Sequence, residues 1–288
     1  MTTYLVTGAS GQLGQIVIDQ LATRVPKSDI IALVRTEAQT QAYHSKGIAT
    51  RLADYTDTTA LKTAFEGVDR LLLISSSDLT SGARKIQHAN VITAAQTAGV
   101  GFVAYTSLLN ATHNPLALGD DHRSTETLLA NSGLPHTILR NGWYTENFGM
   151  SIGQAIETGH HYGAAGDGKY AAAARADYAA AAAVVLTGGH DGDVLELAGD
   201  TAFTLTDFAK SLSDATGQNI DYVDLPVEAF GQALTGAGVP EGFVQFLTDV
   251  DANAAKGALF DDSKTLSRLI GRPTTPYAET VKAMVSQG

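Results

Sequence analysis

The sequence predicts a doubly wound, parallel α/β sheet followed by a smaller, mostly helical C-terminal lobe. Three observations carry that expectation. An apolar run, Tyr4-Leu5-Val6, ends at Thr7-Gly8 and passes at once into a helical pattern. Short apolar runs and helical patterns then alternate through the first half of the chain. The runs are apolar throughout rather than alternating with polar residues, as expected of strands covered on both faces.

Each element follows from its local pattern. In residues 11–22, Leu13, Ile16, Val17 and Leu21 recur at helical spacing, and 30–34 (Ile-Ile-Ala-Leu-Val) is a buried strand. Residues 36–46 read as a helix ended by Gly47, and 48–52 as a short strand. Asp57 is placed to cap a helix running to Phe65. The fourth strand is 71–74, the long helix 83–98 stops at Gly99, and the fifth strand is 102–106. A helix over 121–131 closes at Gly133, and 136–139 is the sixth strand. The second half is less regular. Three glycines between 163 and 168 read as a loop, Asp177 as the cap of a helix over 178–186, and 194–197 as a seventh strand. From Thr204 onward the chain reads as helices joined by long polar loops.

Bulk composition narrows the function. The 288 residues are 44% hydrophobic, enough for a sizeable core. A formal charge of −11 argues against nucleic-acid binding and against adhesion to anionic membranes. The chain has no cysteine, which excludes disulfides, thiolate metal sites and thiol catalysis. The first residues enter a strand without a secretory leader pattern, and the alanine-rich stretch 171–186 is too polar and too short to span a bilayer. A cytoplasmic protein is expected, and a homodimer is the assembly to expect of it.

Gly8, Gly11 and Gly14 stand three apart between a strand and a helix. Gly8 allows the turn, Gly11 lets main chain approach a phosphate, and Gly14 lets the helix close on the strand. The first N–H groups of the helix then face an anion. Ser10, Gln12 and Leu13 share this turn, which reads as a dinucleotide pyrophosphate site. Residues 1–147 are accordingly expected to form a Rossmann-type domain, completed by a strand and a helix within 177–198. Residues 148–288 are expected to form the smaller lobe of the substrate cleft. At the end of the second strand, where an acid would bind a ribose hydroxyl, the sequence has Arg35. A guanidinium pairs with a 2′-phosphate, which favours NADPH. Asp54 is a candidate for the adenine amino group or a helix cap, and Ser75, Ser76 and Ser77 could line the cofactor ribose.

Carbonyl reductases on this fold use a Tyr-x-x-x-Lys pair in the helix after the fifth strand. Here Ser107 follows that strand, but the pair's place holds His122-Arg123-Ser124-Thr125-Glu126, with no tyrosine between Tyr105 and Trp143. At this point the chain resembles the NmrA-like atypical short-chain dehydrogenases. The resemblance lies in Gly8 to Gly14, Leu71 to Ser77, Tyr105-Thr106-Ser107-Leu108-Leu109, Leu139-Arg140-Asn141-Gly142-Trp143-Tyr144-Thr145-Glu146-Asn147, Gly163 to Lys169 with Arg175-Ala176-Asp177-Tyr178, and Phe260 to Lys264. It implies that Asn141 to Glu146 meet the nicotinamide end of the cofactor, with Thr106 and Arg175 as further contacts.

A quinone acceptor makes sense of the missing tyrosine, because its reduced form is a stabilised aromatic anion and positioning supplies much of the rate. The expected activity is therefore flavin-free reduction of quinones by NADPH. Asn141 is a candidate donor to the nicotinamide amide or to a quinone oxygen. Trp143 and Tyr144 could stack on the acceptor or serve as packing, and His122 could give a proton or sit on a surface. Two other readings remain open: a redox sensor that binds NADP(H) with little turnover, and a reductase of azo compounds or activated alkenes. His160-His161 and Asp261-Asp262 read as loop residues, and no metal is expected.

Overall fold

The computed structural model describes residues 1–287, which cluster into two compact units. The first comprises Met1–Ala111, Leu118–Asn141 and Arg175–Leu195, and the second comprises Thr112–Ala117, Gly142–Ala174 and the chain from Glu196 on.

The first unit is built from β1 (Tyr4–Val6), α1 (Gln12–Leu21), β2 (Ile30–Val34), α2 (Glu37–His44), β3 (Ala49–Leu52), α3 (Thr58–Phe65), β4 (Arg70–Leu73), α4 (Ala83–Ala98), β5 (Phe102–Leu108), α5 (Ala117–Ser132) and β6 (His136–Asn141). The chain returns to it with α7 (Arg175–Leu186) and β8 (Val194–Leu197). The sheet order is β3-β2-β1-β4-β5-β6-β8, as the doubly wound reading expects. The pairs from β3 across to β6 are parallel, with Val6 beside Ala32 on one side and Leu72 on the other. Strand order reverses between β1 and β4, which opens a crevice at the carboxyl ends of these strands. Leu5, Leu71, Leu73, Val103 and Phe65 form one continuous buried cluster under α3 and α4.

Local chemistry sets the helix ends. Asp57 Oδ1 accepts from the backbone N–H of Thr59 and Ala60, as its capping position predicts. Thr36 and Gln39 form a capping box for α2, in which Gln39 Oε1 also accepts from the Arg35 N–H at 3.0 Å. Asp177 departs from expectation: α7 starts at Arg175, so Asp177 lies buried within the first turn instead of capping it. The alanines of α7 are small enough to let it lie along α1.

The second unit holds α6 (Gly149–Thr158), β7 (His160–Gly163), α8 (Leu205–Thr216), β9 (Asp221–Asp224), α9 (Val227–Gly236), α10 (Glu241–Ala254), α11 (Thr265–Ile270) and α12 (Tyr277–Gln287). It is mostly helical, but β7 and β9 form a parallel two-stranded sheet that the sequence reading missed. His160 and His161 are therefore strand residues, not loop residues. Four-residue strands reading His-His-Tyr-Gly and Asp-Tyr-Val-Asp carry no alternation to betray them, and their pairing spans sixty residues of chain. An aromatic cluster centres the unit: Phe148 meets Phe208 at 4.8 Å and Tyr170 at 5.3 Å between ring centroids, and Phe203 stacks on Tyr277 at 4.2 Å.

Two glycine substitutions separate close approach from mere flexibility. A Cβ on Gly14 would lie 2.7 Å from Ala9 Cα, against backbone that cannot swing aside, whereas one on Gly153 in α6 meets nothing within 4 Å. Gly14→Ala is expected to destabilise by about 1–3 kcal/mol in urea unfolding. Gly153→Ala is expected to stabilise by about 0.4–1 kcal/mol.

Candidate functional site

The glycine turn occupies the crevice opened by the sheet reversal. Gly8 takes φ +56°, the left-handed region that favours glycine. Gly11 donates its N–H to Gly8 O at 3.0 Å and stands at the N-cap of α1 with no side-chain cap bond. The first turn of α1 contains no acidic residue. Its N–H groups and positive dipole end are thus left to an anion. Ser10, Gln12 and Leu13 flank this start, and Gln15 Nε2 donates to Ser10 O at 2.8 Å.

The turn is braced from behind by two tyrosines that sequence reasoning did not single out. Tyr43 of α2 donates its hydroxyl to Ala9 O at 2.6 Å. Burial and the charge of Asp19 push this phenol up to about 12, so it remains a donor. The Tyr55 hydroxyl meets Thr7 Oγ1 at 2.5 Å, and Thr7 in turn donates to Leu72 O and accepts from the Ile74 N–H, each at 3.0 Å. These bonds lock the end of β1 to the end of β4. No sequence signal marks either tyrosine, since each acts through a contact distant along the chain.

Arg35 is exposed immediately after β2, and Asp54 follows the neighbouring strand β3. Asp54 Oδ1 accepts from the N–H and hydroxyl of Thr56, at 2.9 and 2.6 Å. Those bonds, together with the Arg35 charge, hold its carboxyl below the usual range. Beyond β4, Ser75 donates its N–H to Thr106 Oγ1 at 2.9 Å, which ties the ends of β4 and β5. Ser76 is fully engaged by α4: its N–H by His88, its hydroxyl by Gln87 and its carbonyl by Arg84. Ser77 is exposed.

His122 lies 3% exposed rather than on a surface. Its Nε2 accepts from Arg84 at 3.0 Å and its Nδ1 faces the Tyr105 hydroxyl at 2.7 Å. Burial, Arg84 and His88 hold it well below its usual pKa, so it is neutral with both nitrogens engaged. This gives it a positioning place, since a neutral imidazole so held has no ready proton to deliver. Glu126 occupies part of the place where a Tyr-x-x-x-Lys pair would fall. It accepts from Ser107 Oγ at 2.5 Å and takes a bidentate pair from Arg140, at 3.0 and 2.7 Å.

Asn141 closes β6 at 5% exposure, and its side-chain Oδ1 is buried without a hydrogen-bond partner. A buried acceptor left open costs about 1–3 kcal/mol unless something fills it. The first unit therefore brings Gly8, Ser10, Gly11, Gln12, Leu13, Arg35, Asp54, Ser75, Ser76, Ser77, Thr106 and Asn141 to the carboxyl edge of one sheet. Arg175, half-exposed, opens α7 in the same unit.

Gly142, Trp143, Tyr144, Thr145 and Glu146 belong to the second unit. Gly142 donates to Leu197 O at 2.8 Å, Ala173 donates to Trp143 O at 3.1 Å, and Thr145 donates to Ala173 O at 3.0 Å. The hydroxyl of Thr145 is buried and unpartnered. Trp143, 9% exposed, forms part of the wall of a cavity of about 600 Å³ within this unit, with Phe148, Tyr170, Phe230, Val239 and Phe243. His161 and Asp251 also line it. Asp251 accepts from the Tyr170 hydroxyl at 2.7 Å and from the Ala164 N–H at 2.8 Å, and burial pushes its carboxyl up. Among the described residues no group of three or more His, Asp or Glu is arranged to hold a metal, and no helix is long and apolar enough to cross a membrane.

The chain is similar to known NAD(P)H-binding proteins. Residues 8–193 match the family model described as NAD(P)H-binding. Quinone oxidoreductase 2 of Escherichia coli (strain K12) is 54% identical over 277 residues, 96% of each chain. NAD(P)H azoreductase of Xenophilus azovorans is 30% identical over 281 residues, covering 97% of this chain and 96% of that protein. The crystal structure of NADPH-dependent quinone oxidoreductase QOR2 from Escherichia coli complexed with NADPH superposes with a TM-score of 0.95 at 53% identity, over 98% of this chain and all of that one.

The buried histidines make stability depend on acid. Burial and Arg84 push His88 down to about 3, from an ordinary 6.5. Between these values the unfolded chain binds a proton that the folded chain refuses, so stability is full above about pH 6.5 and falls as pH drops towards 3. One such group predicts a loss of about 2 kcal/mol between about pH 7 and 5. Asp251 acts in the opposite sense, because its raised pKa makes the folded chain the better proton binder. The test is therefore a comparison of urea unfolding at the two pH values in the native chain and in His88→Gln, whose stability should fall less.

Proposed function

The chain belongs to the NAD(P)H-binding family, and on that footing we propose that it is an NADPH-dependent reductase of quinones that needs no flavin. The observation that carries the reading is the open, buried Oδ1 of Asn141, on the same sheet edge as an uncapped helix start over a glycine cradle. The residues fit the cofactor. A Cβ at Gly11 would approach Gly8 O to 3.2 Å, so a side chain there would press on the turn and glycine keeps the main chain bare at the helix start. The N–H groups of α1 receive that charge, and Arg35 receives the 2′-phosphate that distinguishes NADPH from NADH.

When bound, NADPH would supply a hydride, with both electrons together; a quinone that takes it becomes a hydroquinone anion, which takes its proton from water. Asn141 would accept from the carboxamide and so help to hold the nicotinamide end of the cofactor. Thr145, also buried with an open hydroxyl, offers a further polar contact a few residues along. Tyr144 orients the acceptor, while His122 and Arg84 hold the turn after β4 in place. No strong general acid is required, because the developing charge is delocalised over an aromatic ring. That accounts for Glu126 and Arg140, a paired and hydrogen-bonded couple, near the place of a catalytic tyrosine and lysine. The 54% identity to a quinone oxidoreductase over nearly the whole chain supports the same acceptor class.

The purified chain is expected to oxidise NADPH with quinones under nitrogen, without added flavin, as followed by the absorbance of reduced nicotinamide. Tight NADPH binding with no oxidation by any quinone would favour a redox sensor instead. Arg35→Ala is expected to raise the KM for NADPH roughly 10- to 100-fold, the loss of a charge-assisted bond, and the KM for NADH less than about threefold. Equal effects on the two cofactors would remove Arg35 from the 2′-phosphate site.

A further inference from the structure

One face of α2 takes hold of both places assigned to cofactor phosphates. Gln39 and Tyr43 stand four residues apart on this helix and so share that face, one turn from each other. At its start, Gln39 Oε1 accepts from the Arg35 N–H at 3.0 Å and from the Thr36 N–H at 3.2 Å. A turn later the buried Tyr43 donates its hydroxyl to Ala9 O at 2.6 Å. The N–H of Ala9 is held by β2, donating to Leu33 O at 3.3 Å. The strand and helix that flank Arg35 therefore also grip the glycine turn. The two holds control different things. Arg35 is exposed, and among the described residues its guanidinium makes no hydrogen bond or ion pair. A long, free side chain gives up rotamer entropy when it clamps a phosphate, and a main chain that also moved would add to the loss. Gln39 removes that second part by fixing the point from which the side chain starts. Tyr43 instead fixes backbone beside the pyrophosphate site, and a pyrophosphate is common to NADPH and NADH.

We infer that α2 is the bracket that sets the register of the two phosphate contacts, and that Gln39 is a positioning residue for cofactor selectivity. Gln39 acts through Arg35 on the 2′-phosphate alone, whereas Tyr43 acts through Ala9 on the pyrophosphate of either cofactor. Neither residue needs to touch the cofactor. The inference rests on the NADPH reading and deepens it, by naming what holds the selecting arginine in place.

NADPH and NADH are titrated separately into the full-length protein without quinone, and binding is followed by the fluorescence of the reduced nicotinamide. Gln39→Met keeps the length and helix propensity of the side chain and removes the acceptor. It is expected to weaken NADPH about 3- to 10-fold, the loss of neutral hydrogen bonds, and NADH less than about twofold. Tyr43→Phe is expected to weaken both cofactors by a similar factor, about 3 to 10. Gln41→Met, at an exposed position of the same helix, is the control for the helix itself and should leave both affinities as they are. A double-mutant cycle decides whether Gln39 acts through Arg35. With Arg35→Ala already present, Gln39→Met should change NADPH affinity less than about twofold, because the side chain that carries its effect is gone. Three results overturn the inference: equal weakening of both cofactors by Gln39→Met, its full effect persisting in the Arg35→Ala background, or both affinities unaltered in Tyr43→Phe. A chain that prefers NADPH through Arg35 but is indifferent to Gln39 loses the bracket and keeps the cofactor reading. A native chain with no preference for NADPH loses both.

Discussion

At Gly14 the first helix comes so near the turn at Gly8 and Ala9 that a single methyl group would strike backbone atoms. The arrangement of the first unit depends on that approach. It lets α1 start directly over the end of β1, with its uncapped N–H groups at the crevice where strand order reverses. It also explains why α7, which lies along α1, is built from alanines: a helix seated this low leaves little depth for large side chains on its neighbour. Tyr43 and Tyr55 complete the constraint from the other side, one holding Ala9 O and the other fastening Thr7. The phosphate cradle is a backbone surface fixed by groups that never touch the phosphate.

Further along the sheet the strand ends are held by buried polar networks. Arg84 binds the carbonyl of Ser76, pairs with Asp121 at 3.3 Å and faces His122, while His88 takes the Ser76 N–H and meets Thr125 Oγ1 at 2.8 Å. A cation and two imidazoles so close together are compatible only if both imidazoles stay neutral, which is the direction in which burial and Arg84 push them. The same groups that shape the loop after β4 therefore make the fold sensitive to acid. The Glu126–Arg140 couple plays a comparable part beside Asn141, since it fixes the residue that precedes it on β6. On this scaffold the polar residues that would elsewhere transfer a proton are engaged in structure. That suits an acceptor whose reduction needs orientation more than acid.

The second unit supplies a different kind of surface. Its aromatic residues and the short β7–β9 sheet contribute to the wall of a largely apolar cavity. In such an environment an apolar ligand gains from burial.

How much of this could be read from the sequence follows from where the information resides. The strands of the first sheet, their parallel arrangement, the glycine turn and the cap at Asp57 were legible, because each depends on neighbours within a few residues. So was Arg35 as a candidate, since position at the end of a strand fixes which edge of a parallel sheet a residue reaches, whereas Asn141 came only from the resemblance to a known family. The extra three residues of α7, 175–177, were not, because an acid in a first turn and an acid at a cap look alike in sequence. Nor was the β7–β9 sheet, whose short polar strands are joined only by tertiary pairing. The sequence by itself determined the sheet, its ligand-bearing edge and the cofactor class. Only the tertiary structure decided that His122 is buried and neutral, that Tyr43 and Tyr55 brace the turn, and that His161 lies buried on a strand beside an apolar cavity. The physical reason is that burial and electrostatic environment are set by residues far apart in the chain.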